Sequence, residues 1–188
     1  MICVNDSILL IEEALLNSIP AERTVLLGGW AVRMNRNYTY RANCACPLRY
    51  AEEGVKDKAR ICEDLFAANQ IPPVFKVTPT LQKGFADFLS LKNYQNVKTV
   101  KVMRRRLAND AEDVGVPLRC MDAPDEDFLA ASAALSGLNR PELIKIHCRN
   151  LKSIAVPHVF VEALDGNKII GCGYGTAEHG LVCIYDLH

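Results

Sequence analysis

The residues best suited to acid–base chemistry lie close together near the end of the sequence. Glu162, Glu178, His179 and Asp186 all fall within the stretch 157–188. Asp186 is flanked by apolar residues, and desolvation of a carboxyl group raises its pKa. Asp186 is therefore a candidate proton acceptor, with a structural hydrogen bond as the alternative role. For Glu178 and His179 the alternative is a solvated turn.

Cysteine chemistry is a second possibility, because the chain contains 8 cysteines. Cys44 and Cys46 lie two residues apart, no C-x-x-C motif occurs, and the other cysteines are scattered, so buried apolar side chains are favoured over zinc ligands. No secretion signal opens the chain, which predicts free thiols in a reducing compartment. A nucleophilic pair of Cys148 and His158 would indicate a thiol hydrolase, but the sequence alone does not bring the two together.

Four residues near the N-terminus are candidate substrate-binding residues: Trp30, Arg33, Arg41 and Asn43. Arg33 and Arg41 are expected on facing strands, where two guanidinium groups can bind an acidic group of a substrate. Ion pairs with local carboxylates are the alternative for both arginines. Trp30 is equally suited to anchoring the core.

The charge balance argues against large anionic partners. The 22 basic and 22 acidic residues cancel, so no overall field attracts nucleic acid or an anionic membrane. The basic run 104–106 is expected to be a solvated strand end, with phosphate binding as the alternative. No apolar run reaches membrane-spanning length. We therefore expect a cytoplasmic protein without nucleic-acid or membrane partners.

The last stretch predicts a three-strand antiparallel meander. Apolar, β-branched runs at 159–164, 169–176 and 181–188 are separated by the turn residues Asp-Gly-Asn and Glu-His-Gly. Two helices are predicted before the meander. The first spans 125–135, and the second runs to about residue 151 from a capping box made by Asn139 and Glu142.

The first half of the chain predicts alternating elements. Asp6 or Ser7 is a suitable cap for the first helix, and Thr78 for the third. The order strand–helix–strand–helix–strand over 38–105 predicts partly parallel pairing. The predicted elements are helices at 6–18, 51–68 and from 79 onward, and strands at 25–34, 38–48, 74–77 and 94–105.

Together these elements predict an α/β fold of the α+β type with a mixed sheet. The polar interval 107–124 is broken by glycine and prolines and is interpreted as a linker. The predicted domains are an N-terminal lobe at 1–106 and a C-terminal domain at 125–188.

These motifs resemble a known family. Two helices followed by a three-strand meander resemble the first half of the GCN5-related N-acetyltransferase (GNAT) fold, and 178–188 resembles its fourth strand. GWAVR at 29–33, TYRAN at 39–43 and PL at 47–48 are similar to the signature G-W-x-x-R…T-x-R-A-N-S-x-x-P-L of a two-lobed subgroup. IPPVFKV at 71–77 resembles the strand P-P-x-F-x-V of that subgroup.

The resemblance implies transfer of an acetyl group from acetyl-CoA to an amine of a small molecule or peptide. It implies a half-GNAT lobe before the cofactor-binding domain. It places the backbone of Leu187 and His188 where the family polarises the thioester carbonyl, so these are the candidate cofactor-binding residues. Glu162 lies in the hairpin that acceptor amines approach, which makes Glu162 and Asp186 the candidate catalytic residues. An outward-facing carboxylate is the alternative for Glu162.

The chain also departs from the family pattern. The fourth strand of the family leads into an Arg/Gln-x-x-Gly-x-Gly/Ala loop that binds the pyrophosphate at a helix N-terminus. No such motif follows His188, and Gly171-x-Gly173-x-Gly175 lies within a predicted strand. We therefore expect a truncated and impaired or inactive acetyltransferase. A non-catalytic module that binds a partner or small molecule is the alternative.

An apolar strand at the end of the chain is expected to be covered. An uncovered strand edge presents unpaired backbone groups that associate with other strands. A second copy, forming a homodimer, or the N-terminal lobe is expected to cover 181–188.

The missing loop leads to a binding prediction. We expect the 188-residue chain to bind acetyl-CoA only weakly, since the groups that would hold the pyrophosphate are absent from it. Isothermal titration calorimetry measures this, and a low-micromolar dissociation constant would contradict the prediction.

Overall fold

The computed structural model describes residues 4–49, 54–79, 83–107 and 115–188. It confirms the predicted α+β class, with two antiparallel sheets and five α-helices among these residues. We call 4–107 the N-terminal region and 115–188 the C-terminal region.

The N-terminal region consists of a three-stranded sheet and three helices, with the strands in the order β1-β2-β3. Its core contains Trp30, Val32, Phe66 and Phe85. The elements are α1 (Val4–Ser18), β1 (Arg23–Leu27), β2 (Trp30–Met34), β3 (Ala45–Pro47), α2 (Val55–Ala68) and α3 (Lys83–Leu91).

The single strand predicted at 25–34 is wrong, because this stretch is a hairpin of β1 and β2. Gly28 and Gly29 have positive φ angles of 49° and 87° and form the two-residue turn that joins the strands. Such a turn needs positive φ at both positions, which glycine adopts without steric cost. The apolar residues on both sides of the glycine pair gave the sequence the pattern of one continuous strand.

The returning strand predicted at 38–48 is present only at its end, where β3 pairs with β2 in antiparallel register. Its first part is a loop with a short 3-10 helix at Tyr40–Ala42. Arg41 therefore lies on that helix, and the prediction that it faces Arg33 across two strands is wrong.

The alternating order predicted over 38–105 does not form. The strand at 74–77 is reduced to one parallel bridge between Phe75 and Ala45. The stretch predicted as a strand at 94–105 has no secondary structure, and Val97, Val100 and Val102 are exposed there. β-branched alternation favours a strand only where a neighbouring strand supplies hydrogen bonds, and this stretch has no ladder partner among the described residues.

The predicted helices of this region are present with shifted starts. Because α1 begins at Val4, Asp6 and Ser7 lie inside its first turn, and neither is its cap. The predicted start of α2 at residue 51 lies in 50–53, outside the described residues. The residues that follow Thr78 and Pro79 lie in 80–82, which are also outside the described residues.

In the C-terminal region the predicted meander is confirmed, and it belongs to a four-stranded sheet in the order β4-β5-β6-β7. The interval interpreted as a linker contains the extra strand β4, which pairs with β5. The elements are β4 (Leu118–Met121), α4 (Glu126–Leu135), α5 (Pro141–Lys152), β5 (His158–Asp165), β6 (Lys168–Glu178) and β7 (Leu181–Tyr185).

The two helices of this region differ in how they begin. The Asp125 side chain caps α4 by accepting a hydrogen bond from the Phe128 amide at 2.8 Å. The capping box predicted for α5 is wrong, because Arg140 occupies the cap position and Pro141 begins the helix. Proline has a φ suited to the first helical turn and no N–H to satisfy there, so this start needs no side-chain cap.

The four-stranded sheet has one covered and one open face. Helices α4 and α5 cover the face that carries Phe160 and Tyr174, which pack with Phe128, Leu129 and other apolar residues. On the opposite face Val159, Val182 and Ile184 are exposed.

The end of α1 joins the two regions. The Arg33 guanidinium, which is buried on β2, donates to the carbonyls of Leu16 and Ile19. From the other sheet, Tyr174 donates to the carbonyl of Ser18 at 3.1 Å. The Ser18 hydroxyl also lies 2.7 Å from that of Thr176. The last carbonyls of a helix have no partner within the helix, so here they bind side chains from both regions.

A substitution of Arg33 tests how the end of α1 joins the two regions. We expect Arg33→Ala to lower the free energy of unfolding by about 2–4 kcal/mol, because it leaves one buried and two partly buried carbonyls without their charged donor. The matched control is Arg36→Ala, since Arg36 is 65% exposed and pairs with Glu22 at the surface. Urea unfolding of the two variants measures the difference, and equal losses would contradict the assigned role of Arg33.

Candidate functional site

The last strand is interrupted by a β-bulge. Tyr185 pairs with Tyr174, and Asp186 then adopts a positive φ of 45°. His188 resumes the pairing: its N–H donates to the Cys172 carbonyl at 3.0 Å, and its carbonyl accepts from the Cys172 N–H at 3.1 Å. The last strand thus carries one more residue than β6 over this interval, and a bulge leaves its extra residue out of the ladder.

Glycines on β6 make room for the bulge. A Cβ on Gly173 would lie 2.6 Å from Leu187 Cδ2 and 3.3 Å from the Tyr185 carbonyl oxygen. A Cβ on Gly171 would lie 3.1 Å from the His188 carbonyl oxygen. At Gly175, beyond the bulge, the nearest atom would be at 3.5 Å, an ordinary contact. Glycine is therefore needed opposite the bulge because the two backbones approach closely there.

A small cavity lies beside the bulge, between the two regions. Its volume is about 20 Å³, which is room for about one water molecule. Polar groups from both regions line it: Tyr38 and Arg41 from the N-terminal region, and His147, Tyr174 and Asp186 from the C-terminal region.

Arg41 and Asp186 form an ion pair across this cavity. A guanidinium nitrogen of Arg41 lies 2.8 Å from Oδ1 of Asp186, although the two residues are 145 positions apart in sequence. Burial alone lowers the pKa of Arg41, but the charge and hydrogen bond of Asp186 raise it above its usual value. The pair is partly exposed, with side-chain exposures of 44% for Arg41 and 23% for Asp186.

His147 joins Tyr38 to the helices beneath the sheet. Its Nδ1 lies 2.9 Å from the Tyr38 hydroxyl, and its Nε2 lies 2.9 Å from the Ser132 hydroxyl. The His147 side chain is only 3% exposed. Burial lowers the pKa of His147 below its usual value, and burial raises the pKa of Tyr38 to about 12. Both groups are therefore neutral at pH 7.

Asn43 holds the loop that presents Tyr38 and Arg41. Its Oδ1 accepts from the backbone amides of Asn35 at 2.7 Å and Asn37 at 2.9 Å, and its Nδ2 donates to the Thr39 carbonyl at 2.8 Å. Arg33 supports the same loop from below by donating to the Arg41 carbonyl at 2.8 Å. Asn43 and Arg33 are both buried, so they position the loop that carries Tyr38 and Arg41 without being exposed to solvent.

Glu162 lies on the helix-covered side of the sheet and is fully buried, so the outward-facing alternative is wrong. Its Oε2 accepts from the Arg119 guanidinium at 2.6 Å. Its Oε1 is buried and has no hydrogen-bond partner among the described residues. Across the strands, Glu162 pairs in register with Cys172, the residue that bonds to His188. Glu162 thus lies in the row of residues next to the bulge.

Trp30 and Leu187 are at opposite extremes of exposure. Trp30 packs in the N-terminal core, with its ring 5.5 Å from that of Phe85 and 6.4 Å from that of Phe75. Leu187 lies within the bulge, and its side chain is exposed.

Of the candidate residues from the sequence, the structure brings Arg41 and Asp186 into contact beside Leu187. Neither Tyr38 nor His147 was among the candidate residues from the sequence. The only signal for His147 is its place on the inner side of a helix. Tyr38 follows a turn, and nothing in that position indicates a partner in α5.

The thiols do not resemble nucleophiles. The described cysteines are all free, and burial raises the pKa of Cys44 to about 11 and that of Cys62 to about 12. Burial also raises the pKa of Cys148, whereas a nucleophilic thiol needs a lowered one. His158 was suggested as the partner of Cys148, but its Nδ1 lies 2.7 Å from the carbonyl oxygen of Val156.

In the described part of the chain, no group of three or more His, Cys, Asp or Glu residues could hold a metal ion. Within the same ranges, no helix has the length and apolar character needed to cross a membrane.

Comparison with known proteins gives one match. A family model described as "Probable histone acetyltransferase Rv0428c C-terminal" matches residues 6–169, which is most of the 188-residue chain. No curated protein and no solved structure matches the chain. The family match ends within β6, so it covers Tyr38, Arg41 and His147 but stops before the bulge.

The buried imidazole leads to a prediction about pH. Because the pKa of His147 is lowered in the folded state, the unfolded state takes up this proton first, near pH 6.5. The contribution of His147 is therefore fully present above about pH 6.5 and is lost as the pH falls toward the folded-state pKa. Urea unfolding at several pH values should show a flatter profile below pH 6.5 for His147→Gln than for the wild type. Parallel profiles would contradict the prediction.

Proposed function

Since the chain belongs to the family described as probable histone acetyltransferase Rv0428c C-terminal, we propose that it is a GNAT-type N-acetyltransferase. In this proposal the acetyl group comes from acetyl-CoA and the acceptor is an amine. The observation that carries the proposal is the bulge at Asp186 and Leu187, with the polar cavity beside it.

The order of elements supports this assignment. Helices α4 and α5 and the meander β5–β7 follow one another as in the first half of the GNAT fold that the sequence resembles. Strand β4, which the sequence did not predict, extends the same sheet beside β5.

The bulge supplies the chemistry that a thioester needs. A residue outside the ladder has an N–H and a C=O free for a ligand, and an N–H directed at a carbonyl oxygen stabilises the negative charge that develops there during acyl transfer. The N–H and C=O of His188 are both bonded to Cys172. We therefore assign the contact with the pantetheine arm and thioester to the backbone of Leu187 and Asp186.

The cavity supplies the acceptor side. In this proposal an ammonium group binds the Asp186 carboxylate in place of Arg41, whose side chain is 44% exposed. Transfer requires the amine to be held next to the thioester carbonyl, and the position of Asp186 within the bulge supports this arrangement.

The remaining candidate residues have supporting roles in this proposal. Arg33 and Asn43 hold the loop that carries Arg41, and Trp30 stabilises the sheet under it. Glu162 remains a predicted general base, but its pairing with Arg119 and its complete burial favour the cavity at Asp186 as the acceptor site.

Two finer points complete the proposal. Free thiols are typical of a reducing compartment, which supports a cytoplasmic location. The matched family is described by its action on histones. A lysine-containing peptide and a small primary amine are therefore the acceptors to compare.

The test uses acetyl-pantetheine, which has the thioester but no pyrophosphate. In ¹⁵N-labelled protein, we expect millimolar acetyl-pantetheine to shift the backbone amide signals of Asp186, Leu187 and Gly173. Gly173→Ala should remove these shifts, because its Cβ would displace Leu187 and press on the Tyr185 carbonyl oxygen. The matched control Gly175→Ala should retain them, since a Cβ there meets only ordinary contacts.

Transfer is measured on the same samples as acetylated peptide or amine by mass spectrometry. Shifts elsewhere in the protein, or no shifts, would contradict the proposed cofactor site. Shifts at the bulge without transfer to either acceptor would favour the non-catalytic binding module.

A further inference from the structure

We propose that Tyr38 and His147 form a proton relay that accepts the proton of the acceptor amine during acetyl transfer. Tyr38 would touch the amine, and His147 would act through Tyr38. This inference rests on the proposed function and adds to it a residue from the N-terminal region. The observation behind it is the chain of hydrogen bonds from the cavity through His147 to Ser132.

The relay fixes the direction of these hydrogen bonds. In the proposal His147 is protonated at Nε2, which donates to the Ser132 hydroxyl oxygen at 2.9 Å. A neutral imidazole has only one N–H, so Nδ1 is an acceptor and must receive the Tyr38 O–H.

This direction sets what Tyr38 presents to the cavity. Its hydrogen is turned inward to His147, so the lone pairs of its oxygen remain for a donor in the cavity. Asp186 lies across the cavity, and its Oδ1 accepts from the Arg41 guanidinium at 2.8 Å. In the proposal an amine or ammonium group takes the place of the Arg41 N–H and donates to both the Asp186 carboxylate and the Tyr38 oxygen.

His147 has the protonation state that a proton acceptor needs. Burial is the main cause of the lowered pKa of His147. Asp186 acts in the opposite direction by favouring the imidazolium, and the nearby His188 and Arg41 lower this pKa further. The ring is therefore neutral at pH 7, and the imidazolium formed in the reaction has a counter-ion nearby.

The reaction balances with these groups alone. The amine nitrogen attacks the thioester carbon, so a C–N bond forms and the nitrogen becomes acidic. Its proton passes to the Tyr38 oxygen while the Tyr38 hydroxyl proton passes to Nδ1 of His147. The C–S bond then breaks, and the relay returns one proton to the coenzyme A thiolate. The products are the amide and the free thiol, and Tyr38 and His147 end as they began.

The first arm of the test measures the direction of the relay without turnover. In protein labelled with ¹⁵N-histidine at pH 7.5, we expect the His147 signals of a neutral ring protonated at Nε2. Tyr38→Phe should change the Nδ1 signal, because that nitrogen loses its donor, while Tyr94→Phe removes a hydroxyl that bonds Glu63 elsewhere and should change nothing. A ring protonated at Nδ1 would overturn the proposal.

The second arm measures transfer with saturating acetyl-pantetheine. We expect Tyr38→Phe and His147→Gln each to lower kcat by about 100-fold or more with little change in KM. In the wild type, kcat should fall as the pH drops through the lowered pKa of His147, below 6.5, and His147→Gln should lack this limb. The control His158→Gln should retain both the rate and the limb.

The two proposals fail differently. If both variants keep the wild-type kcat, or if the wild type shows shifts at the bulge without any transfer, the relay is overturned. If acetyl-pantetheine produces no shifts at the bulge in the wild type, the proposed function fails first and the relay fails with it.

Discussion

The structure depends on how the last carbonyls of helix α1 are satisfied. These groups have no partner within the helix, and leaving a buried one unpaired costs about 1–3 kcal/mol. Here Arg33 binds them from the N-terminal sheet, and Tyr174 binds them from the C-terminal sheet. The requirement to satisfy one helix end therefore brings two sheets together, and the cavity forms beside that joint. Arg33 is suited to the task because its guanidinium donates to carbonyls in three directions and stays charged when buried.

Local patterns in the sequence predicted the elements whose partners are nearby. The strands of the meander β5–β7 are joined by two-residue turns, so β-branched runs and turn residues were enough to place it. The same reasoning failed where a run of apolar residues contained its own turn, at Gly28 and Gly29, and where an apolar run had no sheet edge to join, at 94–105. Strand β4 was missed because it is stabilised by pairing with β5, which is distant in sequence. Its four residues alone carry no pattern that indicates this partner.

The candidate site was predictable only in part for a related reason. Asp186 and Arg41 were each recognisable as functional types, but the ion pair joins residues 145 positions apart. Asp186 was expected on a regular strand, and nothing in the sequence indicated the positive φ that it adopts in the bulge. A bulge needs space beside the neighbouring strand, and here the absence of a side chain at Gly173 provides that space. Tyr38 and His147 become candidates only because their side chains are in contact. A tyrosine after a turn and a histidine inside a helix are ordinary features on their own.

The ion pair between Arg41 and Asp186 also affects the order of events during protein synthesis. A ribosome adds about 5–20 residues per second, so Asp186 is made about 7–30 s after Arg41. Isolated helices and hairpins form within microseconds, and the N-terminal sheet has therefore ample time to fold first. The loop that Asn43 holds is then formed before Asp186 has been synthesised. A nascent chain that stalls before Asp186 would contain this loop without the carboxylate that pairs with Arg41.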